Sequence, residues 1–89
     1  MLTFTITEEM NGYTYATATA KNGIAIDIIV YDASTADAWI IWVEVDDVRN
    51  ADYDVRSALM AVSYDGYISV ADALADVAYQ LSKEIAYYC

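Results

Sequence analysis

MNGYTYATATAKNGIAI, residues 10 to 26, contains two Asn-Gly pairs eleven residues apart, with an alternation of Thr, Ala and Tyr between them. An Asn-Gly pair between alternating segments is the strongest short-range signal for a two-residue type I′ hairpin, because both central residues of that turn need positive φ. We therefore expect turns at Asn11-Gly12 and at Asn22-Gly23. Two such turns would hold three antiparallel strands in one register.

The expected register assigns each side chain to one face of the sheet. It pairs Met10 with Tyr13 across the first turn and Thr19 with Ile26 across the second. Because side chains alternate between the faces of a strand, one face becomes the core and the other meets solvent. The predicted core face holds Leu2, Phe4, Ile6, Met10, Tyr13, Tyr15, Ile24, Ile26, Ile28 and Val30. The predicted outer face carries Thr14, Ala16, Ala18 and Ala20 of the middle strand, which are small and compatible with a solvated β surface.

A fourth strand is predicted over residues 38 to 45, AWIIWVEV, after a polar, turn-rich stretch at residues 32 to 37. Its alternation places four large apolar side chains on the core face: Trp39, Ile41, Val43 and Val45. The other face of this strand would then carry Ile40 and Trp42, which a purely solvated surface would not select.

Two helices are predicted to follow the strands. From residue 46 the apolar spacing changes from two to about 3.6, which predicts a helix from roughly residue 47 to residue 64, ended by Gly66. A second helix begins after Ser69, which forms an approximate capping box with Asp72 three residues later. The sequence thus predicts one α+β domain over residues 1–89, a four-stranded antiparallel β-meander followed by two α-helices packed on one face.

Charge limits the classes of partner. Fourteen acidic and four basic side chains give a formal net charge of −10. Nucleic acids and anionic membranes are polyanions whose binding requires Lys and Arg, so neither is an expected partner. A basic protein fits this charge better, and improved solubility is the alternative explanation for the same composition.

Residues suited to catalysis are scarce. The chain has no His, which is the commonest general base and metal ligand, and its single Cys, Cys89, has no base to pair with. Of its three Gly residues, two are assigned to hairpins and one to the end of a helix, which leaves none for a phosphate-binding loop. Its paired carboxylates do not match the spacing of an EF-hand. We therefore expect a non-enzymatic protein with no catalytic, cofactor or metal residues.

The compartment is predicted from the same composition. One cysteine allows no internal disulfide, which suits a reducing environment. The first ten residues lack a basic region and a long apolar run, so no signal peptide is expected, and no stretch is apolar enough to span a bilayer. These features predict a cytoplasmic protein, in the host cytoplasm if a phage encodes it.

Two apolar features lie outside the predicted core. On the sheet, Ile29 and Tyr31 would lie beside Ile40 and Trp42 and form a patch on the outer face, a candidate oligomer interface. Tyr, Trp and Met are enriched at interface cores, and monomers seldom expose such patches. The alternative is that the chain itself covers the patch, through residues 85 to 89 or by bending of the sheet.

The second feature is on the first predicted helix, where Tyr53, Met60 and Tyr64 recur at helical spacing on the side away from the core. Nine Tyr residues in the chain, with abundant Asp, suit a surface that grips a Lys- and Arg-rich groove. The alternative is that several of these tyrosines complete a small core.

The chain resembles the small, acidic, phage-encoded inhibitors of bacterial defence, the anti-CRISPR and anti-restriction proteins of the DNA-mimic type. The resemblance rests on its size, on the absence of catalytic residues and on acids spread over the helical half. Those acids are Asp46, Asp47, Asp52, Asp54, Asp72 and Asp76. The resemblance implies that these carboxylates replace phosphates in the nucleic-acid channel of a CRISPR effector or a restriction enzyme, with Tyr53 and Tyr64 as anchors.

Two other functions fit the sequence. One is a structural or assembly module that forms homodimers or larger assemblies through the patch of Ile29, Tyr31, Ile40 and Trp42. The other is an antitoxin or immunity protein that sequesters a basic toxin, which would use the same residues as the inhibitor.

Overall fold

A computed structural model describes the backbone of residues 2 to 88 and the side chains of residues 2 to 87. Cys89 therefore lies outside the described residues. The elements in chain order are β1 (Thr5–Met10), β2 (Tyr13–Thr19), β3 (Ala25–Asp32), β4 (Ile41–Arg49), α1 (Tyr53–Met60), β5 (Ser63–Asp65) and α2 (Val70–Tyr88). The strands form one antiparallel sheet in the order β1-β2-β3-β4-β5. The predicted α+β class with an antiparallel sheet and two helices is confirmed, whereas the predicted strand count is wrong.

The core lies between the sheet and the helices. Helix α2 packs on β3 and β4, and α1 packs on β4. The fully buried large side chains are Ile26, Ile28, Val30, Val43, Val48, Leu59, Val77 and Leu81. The predictions for the core face of β3 and for Ile41, Val43 and Val45 in β4 are confirmed. Trp39 is a correction, since it lies before the start of β4 and is 71% exposed.

The fifth strand and the shorter first helix share one cause. An irregularity in the pairing of β3 with β4 leaves Asp46 without a partner, because Ile28 pairs with Val45 and Asp27 with Asp47. This bulge turns Val48 to the core face three residues after Val45, a spacing that imitates a helix in the sequence. The strand therefore runs on to Arg49, and the predicted helix is divided among the end of β4, α1 and β5.

The second hairpin differs from the prediction by one residue. Its loop has three residues: the Gly23 N–H donates to the carbonyl of Ala20 at 2.9 Å, and the Ala20 N–H donates to the carbonyl of Ile24 at 2.8 Å. Gly23 has a φ of +90°, as in the turn that ends in a left-handed bulge residue. Thr17 consequently pairs with Asp27 and not with Ile28.

This one-residue shift exchanges the two faces of β2. Thr14, Ala16 and Ala18 are buried on the core side, whereas Tyr13 and Tyr15 lie on the opposite face, so the predicted core positions of the two tyrosines are wrong. The first hairpin keeps its expected pairing of Met10 with Tyr13. Neither turn is type I′, because outside the glycines the described residue with positive φ is Asn50, not Asn11 or Asn22.

Edge strand β1 is more exposed than predicted. Its pairing with β2 shifts between Ile6 and Glu8, and all its residues are exposed. Ile6 and Met10, both predicted in the core, are 42% and 43% exposed. Ile6 lies opposite Ala16 on the core side, but the helices pack over β3 and β4 and leave this edge uncovered. Met10 lies opposite Tyr13, on the face away from the helices. Leu2, in contrast, is buried, and its backbone N–H donates to Oγ of Ser82 in α2 at 2.8 Å.

The start of α2 follows the prediction. The Asp72 N–H donates to Oγ of Ser69 at 3.0 Å, which caps the first turn of the helix. Gly66, predicted to end the first helix, has a φ of +84° but follows β5 instead. Within the part of the chain that the structure describes, no helix has both the length and the apolar character needed to cross a membrane.

Candidate functional site

The face of the sheet opposite the helices carries one continuous cross-strand row. Met10 pairs with Tyr13, Tyr13 with Tyr31, Tyr31 with Trp42, and Trp42 with Asp65, so that each of the five strands contributes one residue. We call the three central residues, Tyr13, Tyr31 and Trp42, the aromatic row. Directly opposed side chains in an antiparallel sheet lie about 4.5 to 5.5 Å apart at Cβ, so these side chains form one strip across the sheet.

The rings of this strip are in contact. Tyr31 and Trp42 stack, with centroids 4.9 Å apart and an interplanar angle of 13°. Tyr13 lies 6.4 Å from Tyr31 in a tilted arrangement and 5.9 Å from Tyr15 in an edge-to-face arrangement. Offset-stacked and edge-to-face pairs are the geometries that aromatic rings prefer, so the rings hold one another in place.

Carboxylates surround the aromatic row. The next cross-strand row contains Glu8, Tyr15, Ile29, Glu44 and Ser63. Partial burial raises the pKa of Tyr31, and the negative charge of the nearby Glu44 carboxylate raises it further. We call Glu8, Glu44, Asp46 and Asp65, four of the acidic residues on this face, the carboxylate rim. The rim gives an aromatic surface a negative border.

A groove of about 380 Å³ lies between Trp42 and strand β5, and Asp65 and Glu44 contribute to its lining. The segment before β4 forms another wall through Trp39 and Ile40, which is 45% exposed. Aromatic, aliphatic and acidic side chains therefore meet at this edge of the sheet.

The opposite end of the same face carries an ion-pair network. Asp27 accepts hydrogen bonds from both terminal nitrogens of Arg49, the longer at 3.0 Å, and from Oγ1 of Thr17 at 2.7 Å. Asp47, the cross-strand neighbour of Asp27, pairs with Arg49 at 3.5 Å and with Arg56 of α1 at 3.3 Å. The Arg49 hydrogen bond lowers the pKa of Asp27, helped by Thr17. The arginine lets two like charges lie side by side, so this network is structural.

The predicted acidic residues do not converge on one surface. Asp47 and the aspartates around the start of α1 lie at the end of β4, where Arg56 joins the two elements. Asp76 accepts a hydrogen bond from the Tyr67 hydroxyl at 2.6 Å, and the Tyr67 N–H reaches the carbonyl of Ile41 at the start of β4. The six predicted residues therefore divide between the two ends of β4. The first group is Asp46, Asp47, Asp52 and Asp54, and the second is Asp72 and Asp76.

The two predicted tyrosine anchors are also separated. Tyr53 begins α1 and is 80% exposed. Tyr64 lies in β5, pairs with Val43 and packs partly against the core. Burial raises the pKa of Tyr64, and the charges of Glu84 and Asp76 add to the shift. The expected helical stripe of Tyr53, Met60 and Tyr64 is wrong, because Tyr64 belongs to a strand.

The predicted sheet patch is the set that the structure brings together. Ile29, Tyr31 and Trp42 lie on the helix-free face, and Ile40 borders them just before β4. The suggestion that residues 85 to 89 cover this patch does not hold for Ile85, which is buried in the core on the other face. Cys89 lies outside the described residues.

Sequence reasoning missed six members of the site: Glu8, Met10, Tyr13, Tyr15, Glu44 and Asp65. The tyrosines were assigned to the core because the second turn was given two residues and not three. The sequence did contain a signal. Ala16 and Ala18, on one face of β2, are apolar, whereas Thr17 and Thr19, on the other face, are polar, which favours the alanine face as the core side. Asp65 was missed because β5 was predicted as the end of a helix.

Among residues 2 to 88, no three acidic, Cys or His side chains converge in a way that could hold a metal ion. The chemistry that this face offers is contact through aromatic rings and attraction of positive charge. Comparisons with protein-family models, with curated protein sequences and with solved structures give no match to this chain.

Proposed function

We propose that this protein is a non-enzymatic binding protein that inhibits a nucleic-acid-handling complex by docking the helix-free face of its sheet onto a basic surface of that complex. The single observation that carries the proposal is the aromatic row with its carboxylate rim. Those residues lie on one face, and that face is opposite the helices.

The composition of the face is that of an interface. Tyr, Trp and Met are enriched at the centres of protein interfaces, with polar and charged groups around them. Met10, Tyr13, Tyr31 and Trp42 supply such a centre in consecutive strands. Because the rings already contact one another, little side-chain freedom is lost when a partner covers them.

Charge selects the partner. The chain has a formal net charge of −10, and the rim places four carboxylates around the apolar centre. A surface that binds the phosphates of DNA or RNA is rich in Lys and Arg, so its field would attract this protein and speed its association. A CRISPR effector or a restriction enzyme has a channel of this kind. The carboxylates that would replace phosphates are those of the rim, which shares Asp46 with the six aspartates expected from the sequence.

The test is capture from bacterial lysate with immobilised protein at low and at high salt, followed by a nucleic-acid-binding assay on each captured protein. We expect the captured protein to bind DNA or RNA, an excess of this chain to block that binding, and salt to release it. Tyr31→Thr and Trp42→Thr should abolish capture, whereas Tyr53→Ser should not. Capture that depends on Tyr53 but not on Trp42, or a captured protein that binds no nucleic acid, would contradict the proposal.

Homo-oligomerisation through the same face is the second candidate, favoured by the exposure of Trp39 and Ile40 beside the aromatic row. The net charge opposes it, because two copies would bring like rims together. Sedimentation at several salt concentrations separates the two functions. Added salt should strengthen self-association and Trp42→Asp should abolish it, whereas binding to a basic protein weakens with salt.

An antitoxin or immunity protein would use the same face against a basic toxin. The identity of the captured protein distinguishes this function. A captured toxin would lose its toxicity when this chain binds it, whether or not the toxin binds nucleic acid.

A further inference from the structure

We infer that the groove beside Trp42 is an arginine-binding subsite, in which a guanidinium group of the partner lies on the open face of the indole and pairs with the carboxylate of Asp65. This inference rests on the proposed function and names the chemistry by which the basic partner is recognised.

The indole of Trp42 is stacked against a ring of β3 and also borders the groove beside β5. Tyr31, in β3, stacks on one side of it at 4.9 Å. The groove lies on the other side, toward β5, and Trp42 is part of its lining. Trp is the aromatic side chain that attracts cations most strongly, and the attraction acts over the face of the ring.

Two carboxylates lie close to the position that such a cation would occupy. Asp65 is the direct cross-strand partner of Trp42, and Glu44 follows Trp42 by two residues on the same face of β4. Both contribute to the groove. Glu44 is engaged with Tyr31. Within residues 2 to 88, no hydrogen bond or ion pair engages the Asp65 carboxylate, so Asp65 is the group available to an incoming charge.

The geometry favours arginine over lysine. A guanidinium is planar, can lie flat on an indole, and presents paired N–H groups in its own plane to a carboxylate at the edge of the ring. An ammonium is compact and strongly hydrated, and it cannot stack. Trp39 and Ile40 form an apolar wall suited to the methylene stem of the arginine.

The test uses two short probe peptides, Ac-Gly-Arg-Gly-Arg-Gly-NH2 and its lysine counterpart, titrated into the full chain and followed by the two-dimensional NMR spectrum. Trp39→Phe identifies the indole N–H resonance of Trp42. We expect the arginine peptide to shift that resonance and the amide resonances of Asp65 and Gly66, with an affinity about two- to fivefold higher than that of the lysine peptide.

Matched charge variants localise the site. Asp65→Asn should weaken binding of the arginine peptide about three- to fivefold, the range for a solvent-accessible ion pair. Asp54→Asn removes the same charge from the exposed first turn of α1 and should leave the affinity within about 1.5-fold. Both variants should keep the amide spectrum of a folded chain.

Equal binding of the two peptides, or equal weakening by Asp65→Asn and Asp54→Asn, would overturn the arginine subsite and indicate attraction by overall charge. The proposed function would survive that result if Trp42→Thr still abolished capture of a nucleic-acid-binding protein. It would fail on its own if capture were independent of Tyr31 and Trp42, whatever the peptides do.

Discussion

The phenol ring of Tyr31 lies nearly parallel to the indole of Trp42, at 13° and with 4.9 Å between ring centroids, on the face of the sheet opposite the helices. Stacking of this kind is ordinary between buried rings, but here it joins two half-buried side chains. The pair adds to the stability of the sheet and also flattens a surface that a partner can cover.

We predict a coupling free energy of about 0.5 to 1.5 kcal/mol between the two rings. Tyr31→Thr, Trp42→Thr and the double variant would be compared by urea unfolding at neutral pH. Threonine keeps the β propensity of each position, so the cycle reports mainly the ring contact. The control cycle pairs Tyr31→Thr with Tyr53→Ser on α1, where the effects should add. Additive effects in the first cycle would show that the stacking contributes nothing measurable.

A second prediction concerns the pH dependence given by Asp27. Because its pKa is lowered in the folded state by Arg49 and Thr17, its charged form contributes stability at neutral pH that is lost as the pH falls below the ordinary carboxyl value of 3.8. Asp27→Asn should lower the free energy of unfolding by about 1 kcal/mol at pH 7. This is the contribution of a charged hydrogen bond whose strength is reduced because solvent screens the pair.

The difference between the wild type and Asp27→Asn should shrink as the pH falls from about 5 to 2. Urea unfolding at each pH measures it. Subtracting the free energy of unfolding of Asp27→Asn from that of the wild type at each pH cancels the effect of the many other carboxylates, because their protonation changes both proteins alike. The control is Asp37→Asn in the exposed segment before β4, which should change the free energy of unfolding at pH 7 by about 0.5 kcal/mol or less. A difference that stays constant down to pH 2 would contradict a lowered pKa at Asp27.

Tyr67 supports a third prediction. It is 7% exposed, and its hydroxyl donates to Oδ2 of Asp76 at 2.6 Å. Burial raises its pKa well above the ordinary value, and the hydrogen bond to Asp76 adds to the shift. Tyr67→Phe should therefore remove the last ionising tyrosine from the alkaline absorbance titration and lower the free energy of unfolding by about 1 to 2 kcal/mol.

The contribution of Tyr67 should be present below pH 10 and decline as the pH rises toward its folded-state pKa, because only the neutral phenol is accommodated in the folded protein. Tyr53→Phe, on the exposed start of α1, is the matched control and should leave the last step of the titration in place. A Tyr67→Phe titration curve that loses an early step instead would contradict the assignment.

The parts of the fold that local chemistry determines were predictable. Ser69 caps α2 as expected, the buried strand around Ile28 follows its apolar pattern, and the Met10–Tyr13 hairpin has its expected pairing. The cluster of Tyr31 with Trp42 also followed from alternation, because the pairing of β3 with β4 keeps them on one face.

The parts that depend on single inserted residues were not predictable from periodicity. One additional residue in the loop ending at Gly23 exchanged the faces of β2, and a bulge at Asp46 made a strand resemble a helix. Both features add one residue without changing composition. The pairing of Asp65 with Trp42 was not predictable either, because the three residues of β5 form a strand only against the edge of β4.

The face assignment of β2 gives the sharpest prediction, because two adjacent residues should respond oppositely to the same substitution. Ala18 is 4% exposed and lies opposite Ile26, which is fully buried, whereas Thr19 is exposed. Ala18→Glu would bury a charge in the core and should cost about 3 kcal/mol or more, while Thr19→Glu should change stability by about 0.5 kcal/mol or less. Urea unfolding of the two variants measures the difference. A two-residue turn at Asn22-Gly23 would reverse the order, with Thr19 directed at the core, so a larger effect at Thr19 would contradict the register and, with it, the place of Tyr13 and Tyr15 on the binding face.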